Sequence, residues 1–189
     1  MVATAHQTSP RGGRRAGATR GLAFCLALVV PCLAASAKAD ALSAAERAFA
    51  RRDYTRAAPV LLVAAERGLP VAQTYIGYMY QNGLGVPRDY AAAASWLNQA
   101  AEQDEPTAQF LLGLLFDKGY GVPQDWIQAE VWLNLAASQA SANQRDYWAY
   151  IRDAVAQKLT LDQLAQAQQR AFDWAPIASR RTGSISARY

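Results

Sequence analysis

The chain has 189 residues, of which 52% are hydrophobic and 18% charged, and this composition is typical of a globular domain and excludes a disordered chain. The net charge of +4 would favour nucleic acid as a partner, but residues 1–39 contain five bases and no acid, so the remainder is near neutral and we expect no nucleic-acid binding. Both cysteines and the only histidine also precede residue 40, which excludes from the remainder a disulfide framework, a cysteine nucleophile, a histidine-dependent triad and nearly all zinc sites. We therefore expect no catalytic residue, no metal and no cofactor.

Residues 1–39 are predicted to be a signal peptide. Several arginines precede the apolar run Leu22–Ala35, whose 14 residues are too few for a helix that spans a bilayer. Small residues at Ala37 and Ala39 predict cleavage before Asp40, with cleavage after Ala37 as the second choice. We expect a periplasmic or secreted mature protein without a membrane span, and the general secretory and twin-arginine routes both stay open.

Residues 72–143 consist of two copies of a 36-residue repeat. Residues 72–107 read AQTYIGYMYQNGLGVPRDYAAAASWLNQAAEQDEPT, and residues 108–143 read AQFLLGLLFDKGYGVPQDWIQAEVWLNLAASQASAN. The positions that coincide, and to which we assign structural roles, are Gly77, Gly83, Gly85, Asp89 and Trp96 in the first copy and Gly113, Gly119, Gly121, Asp125 and Trp132 in the second.

Each copy is predicted to form two helices joined by a turn. In the first helix, Ala72, Ile76 and Tyr80 share one apolar stripe, and the glycine beside them allows close approach of the second helix. The two glycines of the Gly-x-Gly-Val-Pro segment favour a left-handed backbone that ends the first helix, and the following aspartate is placed to cap the second. A single helix pair cannot cover its own apolar face, so the pairs are expected to stack.

The period continues in weaker form on both sides. Asp53 lies 36 residues before Asp89, which indicates a shorter repeat over about 41–71 that lacks the glycine-containing segment. Residues 144–174 regain helical spacing and are predicted to form a C-terminal capping helix pair, since terminal repeats usually depart from the consensus. We expect a solenoid domain over residues 40–174 and a disordered tail over 175–189.

The motif A-x-x-x-I/L-G-x-x-Y/F-x-x-G-x-G-V-P-x-D-x-x-x-A-x-x-W-L-x-x-A-A resembles the Sel1-like repeat, a relative of the tetratricopeptide repeat. The resemblance covers residues 72–143 strongly and residues 41–71 moderately. It implies an all-α, right-handed α-solenoid and a role in binding other proteins, frequently in secreted or periplasmic signalling and envelope assembly.

Acidic and aromatic residues of the repeats have structural explanations. Asp89 and Asp125 are expected to cap helices, and Asp104, Glu105 and Asp117 to be solvated near helix ends, instead of serving catalysis or calcium binding. The glycine-containing segments are expected to be turns and not phosphate-binding loops, because neither follows a strand. Core packing is expected for the tryptophans, in preference to carbohydrate stacking.

One face of the first helices is not required by the predicted core. We expect it to line a concave groove that binds a partner, although burial against a neighbouring helix is the alternative. The residues of this predicted groove are Thr74, Tyr78, Phe110, Leu114 and Tyr150.

The predicted function is therefore that of an exported adaptor or regulator that binds another protein and is not an enzyme. The alternative is a hydrolase or binding protein directed at the cell wall or at β-lactams. Sel1-like proteins associated with β-lactam binding are rich in cysteine, whereas this chain has no cysteine after Cys32. A third hypothesis is a stabilising module of an envelope complex. The identity of the partner and the oligomeric state stay open.

Overall fold

The computed structural model describes residues 42–174, and the chain divides by its contacts into two units, Met1–Asp40 and Ala41–Tyr189. The predicted signal peptide and tail lie outside the described residues. Within 42–174 there is no strand, and the predicted all-α solenoid is confirmed. None of these helices has the length and apolar character needed to cross a membrane. The helices are 42–50 (α1), Tyr54–Glu66 (α2), Pro70–Asn82 (α3), Tyr90–Ala101 (α4), Pro106–Lys118 (α5), Trp126–Ser138 (α6), Arg145–Ala156 (α7) and Leu161–Phe172 (α8).

Local sequence determines where the helices begin. Asp89 caps α4 by accepting hydrogen bonds from the backbone N–H groups of Ala91 and Ala92 at 2.9 and 3.0 Å, and Asp125 caps α6 by accepting one from the backbone N–H of Gln128 at 3.0 Å. The first helices α3 and α5 begin at Pro70 and Pro106, where the missing N–H removes no helical hydrogen bond. Each of these helices thus begins two residues before the first residue of its predicted repeat.

The loops between paired helices also connect consecutive repeats. Gly83 and Gly119 end α3 and α5 in the left-handed conformation, both with φ of +69°. Gly121, with φ of +73°, lies so close to α4 that an added Cβ would be 2.0 Å from the Tyr90 carbonyl oxygen. Gly85 lies against Tyr54 of α2 in the corresponding way. Each loop therefore rests on the first turn of the second helix in the preceding pair.

The paired helices approach closely at the predicted glycines. An added Cβ at Gly77 would lie 2.6 Å from Leu97 Cγ, and one at Gly113 would lie 2.8 Å from Leu133 Cγ. The contacts between α3 and α4 and between α5 and α6 are accordingly the most extensive among helices α2 to α8. The core contains the predicted stripes: Ala72 and Ile76 of α3 are almost fully buried in one cluster with Leu61 of α2, and Ala93 and Leu97 of α4 are fully buried in the next cluster.

The first helices of successive pairs form one layer. Phe49 of α1 contacts Tyr75 of α3 with ring centroids 4.6 Å apart, and α3 contacts α5 directly. At the C-terminal end, both α7 and α8 pack on α6 and make little contact with each other. Trp174, directly after α8, covers Trp132 of α6 in an edge-on arrangement with ring centroids 4.9 Å apart. The cap thus consists of two helices that share α6 as their support.

Candidate partner-binding surface

Three residues of the predicted groove occupy the same repeat position on three successive first helices. These residues are Tyr78 on α3, Leu114 on α5 and Tyr150 on α7, which we call the A-helix row. Tyr78 is 37% exposed and Tyr150 is 69% exposed, whereas Leu114 is partly buried. The row therefore presents two aromatic rings to solvent, each on a rigid helix.

The other two residues of the predicted groove are buried, and this part of the prediction is corrected. Phe110 stacks on Trp148 with ring centroids 4.8 Å apart and joins α5 to α7. The Thr74 hydroxyl lies 2.9 Å from the Pro70 carbonyl oxygen and 3.2 Å from a Glu105 carboxylate oxygen, so its one hydrogen can be donated to either, and the second contact joins α3 to the start of α5. Phe110 and Thr74 therefore hold helices together and are not exposed members of a groove.

A third exposed aromatic side chain lies beside the row and was not predicted. Tyr147 is 58% exposed and lies one turn before Tyr150 on α7, with its ring 5.9 Å from that of Phe110. Residues three apart lie on the same face of a helix, so the spacing of Tyr147 and Tyr150 could have predicted that the two rings lie side by side. The exposed aromatic surface is therefore densest at α7.

The opposite end of this layer is more polar. A small cavity of about 180 Å³ is lined by Thr74, Tyr75 and Glu105 together with Val71 and Thr107. Burial raises the pKa of the Tyr75 hydroxyl, and the nearby carboxylates of Glu46 and Glu105 raise it further. The hydroxyl of Tyr75 thus stays protonated and can act as a hydrogen-bond donor.

The tryptophans do not share one environment. Trp132 and Trp148 are buried and Trp96 is partly buried, as expected for core residues. Trp126, at the start of α6, is 39% exposed, and the Lys158 ammonium lies 5.9 Å from the centre of its ring. Core packing is therefore the wrong description of Trp126, because no repeat loop lies over α6 as one lies over α4.

Asp117 is also placed differently from the prediction of a solvated acid. It is buried near the end of α5, where it pairs with Lys158 and, at 3.0 Å, with Lys118. Burial acts to raise the pKa of this carboxyl group, but the two lysines outweigh that effect and hold the pKa below its ordinary value. The ion pair with Lys158 ties the segment between α7 and α8 to α5.

Buried glutamines form a repeated contact between helix pairs that was not predicted. Gln73 donates to the Ala65 carbonyl at 3.2 Å, and Gln109, 36 residues later, donates to the Ala101 carbonyl at 3.4 Å. Each acceptor lies at the C-terminal end of the preceding second helix, where carbonyl groups lack helical partners. Glutamine occupies the same repeat position in both copies, at residues 73 and 109, and this match could have predicted a repeated contact.

One carboxylate is buried without full hydrogen bonding. Glu130 on α6 is 2% exposed, and it accepts one hydrogen bond from Asn134 at 3.1 Å. Its other carboxylate oxygen has no hydrogen-bond partner among the described residues. Burial raises the pKa of Glu130 to about 7, although Arg152 acts to lower it. The equivalent residue of the first copy is Ala94, so the alignment gives no reason to expect a buried acid here.

The described residues offer no evident chemistry for a metal. Within 42–174, no group of three acidic, histidine or cysteine side chains is arranged so that it could hold a metal ion. Asp89 and Asp125 are engaged as helix caps, and Asp104 accepts hydrogen bonds from Gln109 and Gln139 at 3.0 and 2.8 Å.

The family model of the Sel1 repeat matches residues 70–105 and 106–141, which confirms the predicted resemblance. Among solved structures, the chain is similar to a protective antigen present in uropathogenic Escherichia coli strains that displays an SLR fold, with 29% identity, a TM-score of 0.64 and 80% of this chain covered. It is also similar to a Sel1 repeat protein from Oxalobacter formigenes, with 33% identity, a TM-score of 0.52 and 58% of this chain covered. The matches span 33% and 45% of those two proteins. No curated protein sequence matches significantly.

Proposed function

Two Sel1 repeats form residues 70–141, and from this premise we propose that the protein is an exported adaptor that binds another protein through the A-helix row. Sel1 repeats are typically scaffolds for protein–protein interaction and are generally not catalytic. The observation that carries the proposal is the exposure of aromatic rings at one repeat position, Tyr78 on α3 and Tyr150 on α7.

Physical reasons favour these rings as anchors for a partner. A tyrosine on a rigid helix buries a large area on binding and loses little conformational entropy, and aromatic residues commonly dominate interface energies. Tyr147 adds a third ring next to Tyr150, so that α7 supplies the largest part of the contact. The partly buried Leu114 lies between the two ends of the row and supplies apolar surface.

Removing both exposed tyrosines of the row should weaken binding without unfolding the protein. A double variant, Tyr78→Ala with Tyr150→Ala, should lose about 2 kcal/mol of binding free energy, which is about a 30-fold rise in Kd. The partner is first isolated by affinity capture with the wild-type chain, and the Kd and the melting temperature are then measured for both proteins.

The control removes two large exposed side chains elsewhere. Leu161 and Phe172 on α8 are 86% and 85% exposed, more than the two tyrosines, so Leu161→Ala with Phe172→Ala deletes at least as much exposed apolar surface outside the row. This control should bind the partner as wild type does. If only the α8 variant loses affinity, the partner binds α8 and the proposal is wrong.

Export is the second part of the proposal, and the motivation is the sequence of residues 1–39. Basic residues followed by an apolar run and by Ala37-Lys38-Ala39 predict removal of the segment by signal peptidase. N-terminal sequencing of the protein isolated from the periplasm or the medium should begin at Asp40. Recovery of a cytosolic chain that retains Met1 would contradict this part of the proposal and leave the binding surface untouched.

A further inference from the structure

The shorter N-terminal helix pair contains an open cavity of about 450 Å³ between α1 and α2. Its lining combines three arginines, Arg47, Arg51 and Arg56, with small apolar residues such as Ala48 and Val60. We call this cavity the arginine cleft. It lies on a different helix pair from the exposed tyrosines of the A-helix row.

Two of these arginines are available for a ligand. Arg51 directly follows α1, and its backbone N–H donates to the Arg47 carbonyl at 3.1 Å, so the two arginines lie one turn apart on the same side, and both are exposed. Neither has an ion-pair partner within residues 42–174. Arg56 pairs with Asp53, with its Nε 3.3 Å from the carboxylate oxygen, and is 84% exposed. The cleft therefore holds more positive than negative charge.

The excess of positive charge extends over the whole N-terminal helix pair and is reversed in the rest of the described chain. Residues 42–71 contain five arginines and three acids, whereas residues 72–174 contain six bases and eleven acids. A segment of negative charge would be attracted to the N-terminal helix pair and repelled by the pairs that follow. The charge pattern thus favours an acidic ligand and directs it to the cleft.

We propose that the arginine cleft binds an acidic peptide segment, with carboxylates on Arg47 and Arg51 and a small apolar side chain against Ala48 and Val60. This inference rests on the proposed function, because it assigns a chemistry to part of a protein partner. A guanidinium group can bind a carboxylate in a bidentate manner, by donating two parallel hydrogen bonds to its two oxygens. The apolar side chains of Ala48 and Val60 in the lining favour a peptide over a phosphate ion, which has no apolar part to place against them.

The test uses the purified full chain and a short labelled peptide of alternating glutamate and leucine, followed by fluorescence anisotropy at low salt. Arg47→Ala with Arg51→Ala should raise the Kd about tenfold or more, because both charged hydrogen-bond partners are lost. The matched control, Arg67→Ala with Arg170→Ala, changes the net charge equally at exposed positions outside the cleft, and its Kd should change less than about twofold.

Several outcomes would overturn the inference. Equal losses in the two double variants would mean that net charge alone attracts the peptide. Displacement of the peptide by an equal concentration of inorganic phosphate, or tighter binding of phosphatidylglycerol vesicles that is lost in the Arg47/Arg51 variant, would assign the cleft to a phosphate group instead. The two proposals fail separately, because Tyr78→Ala with Tyr150→Ala should leave the affinity for the acidic peptide unchanged.

Discussion

Replacing Gly121 by alanine should destabilise the protein by about 3 kcal/mol or more. The φ of +73° at this position disfavours any residue with a side chain, and the new Cβ would lie 2.0 Å from the Tyr90 carbonyl oxygen of the preceding helix pair. Because that neighbour is backbone, the strain cannot be relieved by a change of rotamer. The free energy of unfolding from urea denaturation measures the effect.

Gly68 provides the matched control for this variant. It has a φ of +86°, but an added Cβ would meet nothing within 4 Å. Gly68→Ala should therefore cost only the backbone term of about 1 kcal/mol. Equal losses for Gly68→Ala and Gly121→Ala would show that the second repeat loop does not rest on α4, and the account of how the helix pairs connect would be wrong.

Replacing Glu130 by glutamine should stabilise the protein at pH 8 by about 2–3 kcal/mol and have little effect near pH 4. Burial raises the pKa of this carboxyl group from 4.5 to about 7 in the folded protein. Between these two values the folded state binds a proton that the unfolded state has released, so stability falls as pH rises from about 4.5 to about 7. Glutamine never ionises and retains the acceptor for Asn134, and it thus avoids the loss.

The pH dependence identifies the cause of the stabilisation. Asp117, with its lowered pKa, affects stability only in more acidic solution, and it is present in both proteins. Glu66 is exposed, so Glu66→Gln removes an equal charge as a control and should change the free energy of unfolding by less than about 0.5 kcal/mol at either pH. A stabilisation by Glu130→Gln that is as large at pH 4 as at pH 8 would contradict the burial of an ionised carboxylate.

The helix pairs could be predicted because their ends obey local rules. A left-handed glycine, a capping aspartate and a close-approach glycine each act within a few residues, and Gly83, Asp89 and Gly77 all occupy such positions in the structure. The repeat then supplied the stacking, because every pair exposes the same apolar face. The glutamine contacts are equally periodic. The hydrogen bonds of Gln73 and Gln109 could not be predicted from local rules, because their acceptors lie in the preceding helix pair.

The surface was harder to predict, because exposure depends on which helix comes next. Phe110 and Thr74 share a repeat position, yet Phe110 is covered by Trp148 of α7, a helix outside the recognisable repeats. The pairing of Asp117 with Lys158 joins residues 41 apart, a separation unrelated to the 36-residue period. Contacts made by the C-terminal cap therefore could not be derived from the repeat alignment.

The central claim is that the A-helix row faces a protein partner, and site-specific photo-crosslinking in cells tests it most directly. A benzophenone amino acid is placed separately at Tyr78 and Tyr150, and at Phe172 on α8 as the matched exposed aromatic control. We expect both row positions to give an adduct with the same protein and the Phe172 position to give none. An adduct at Phe172 with none at Tyr78 or Tyr150 would contradict the claim.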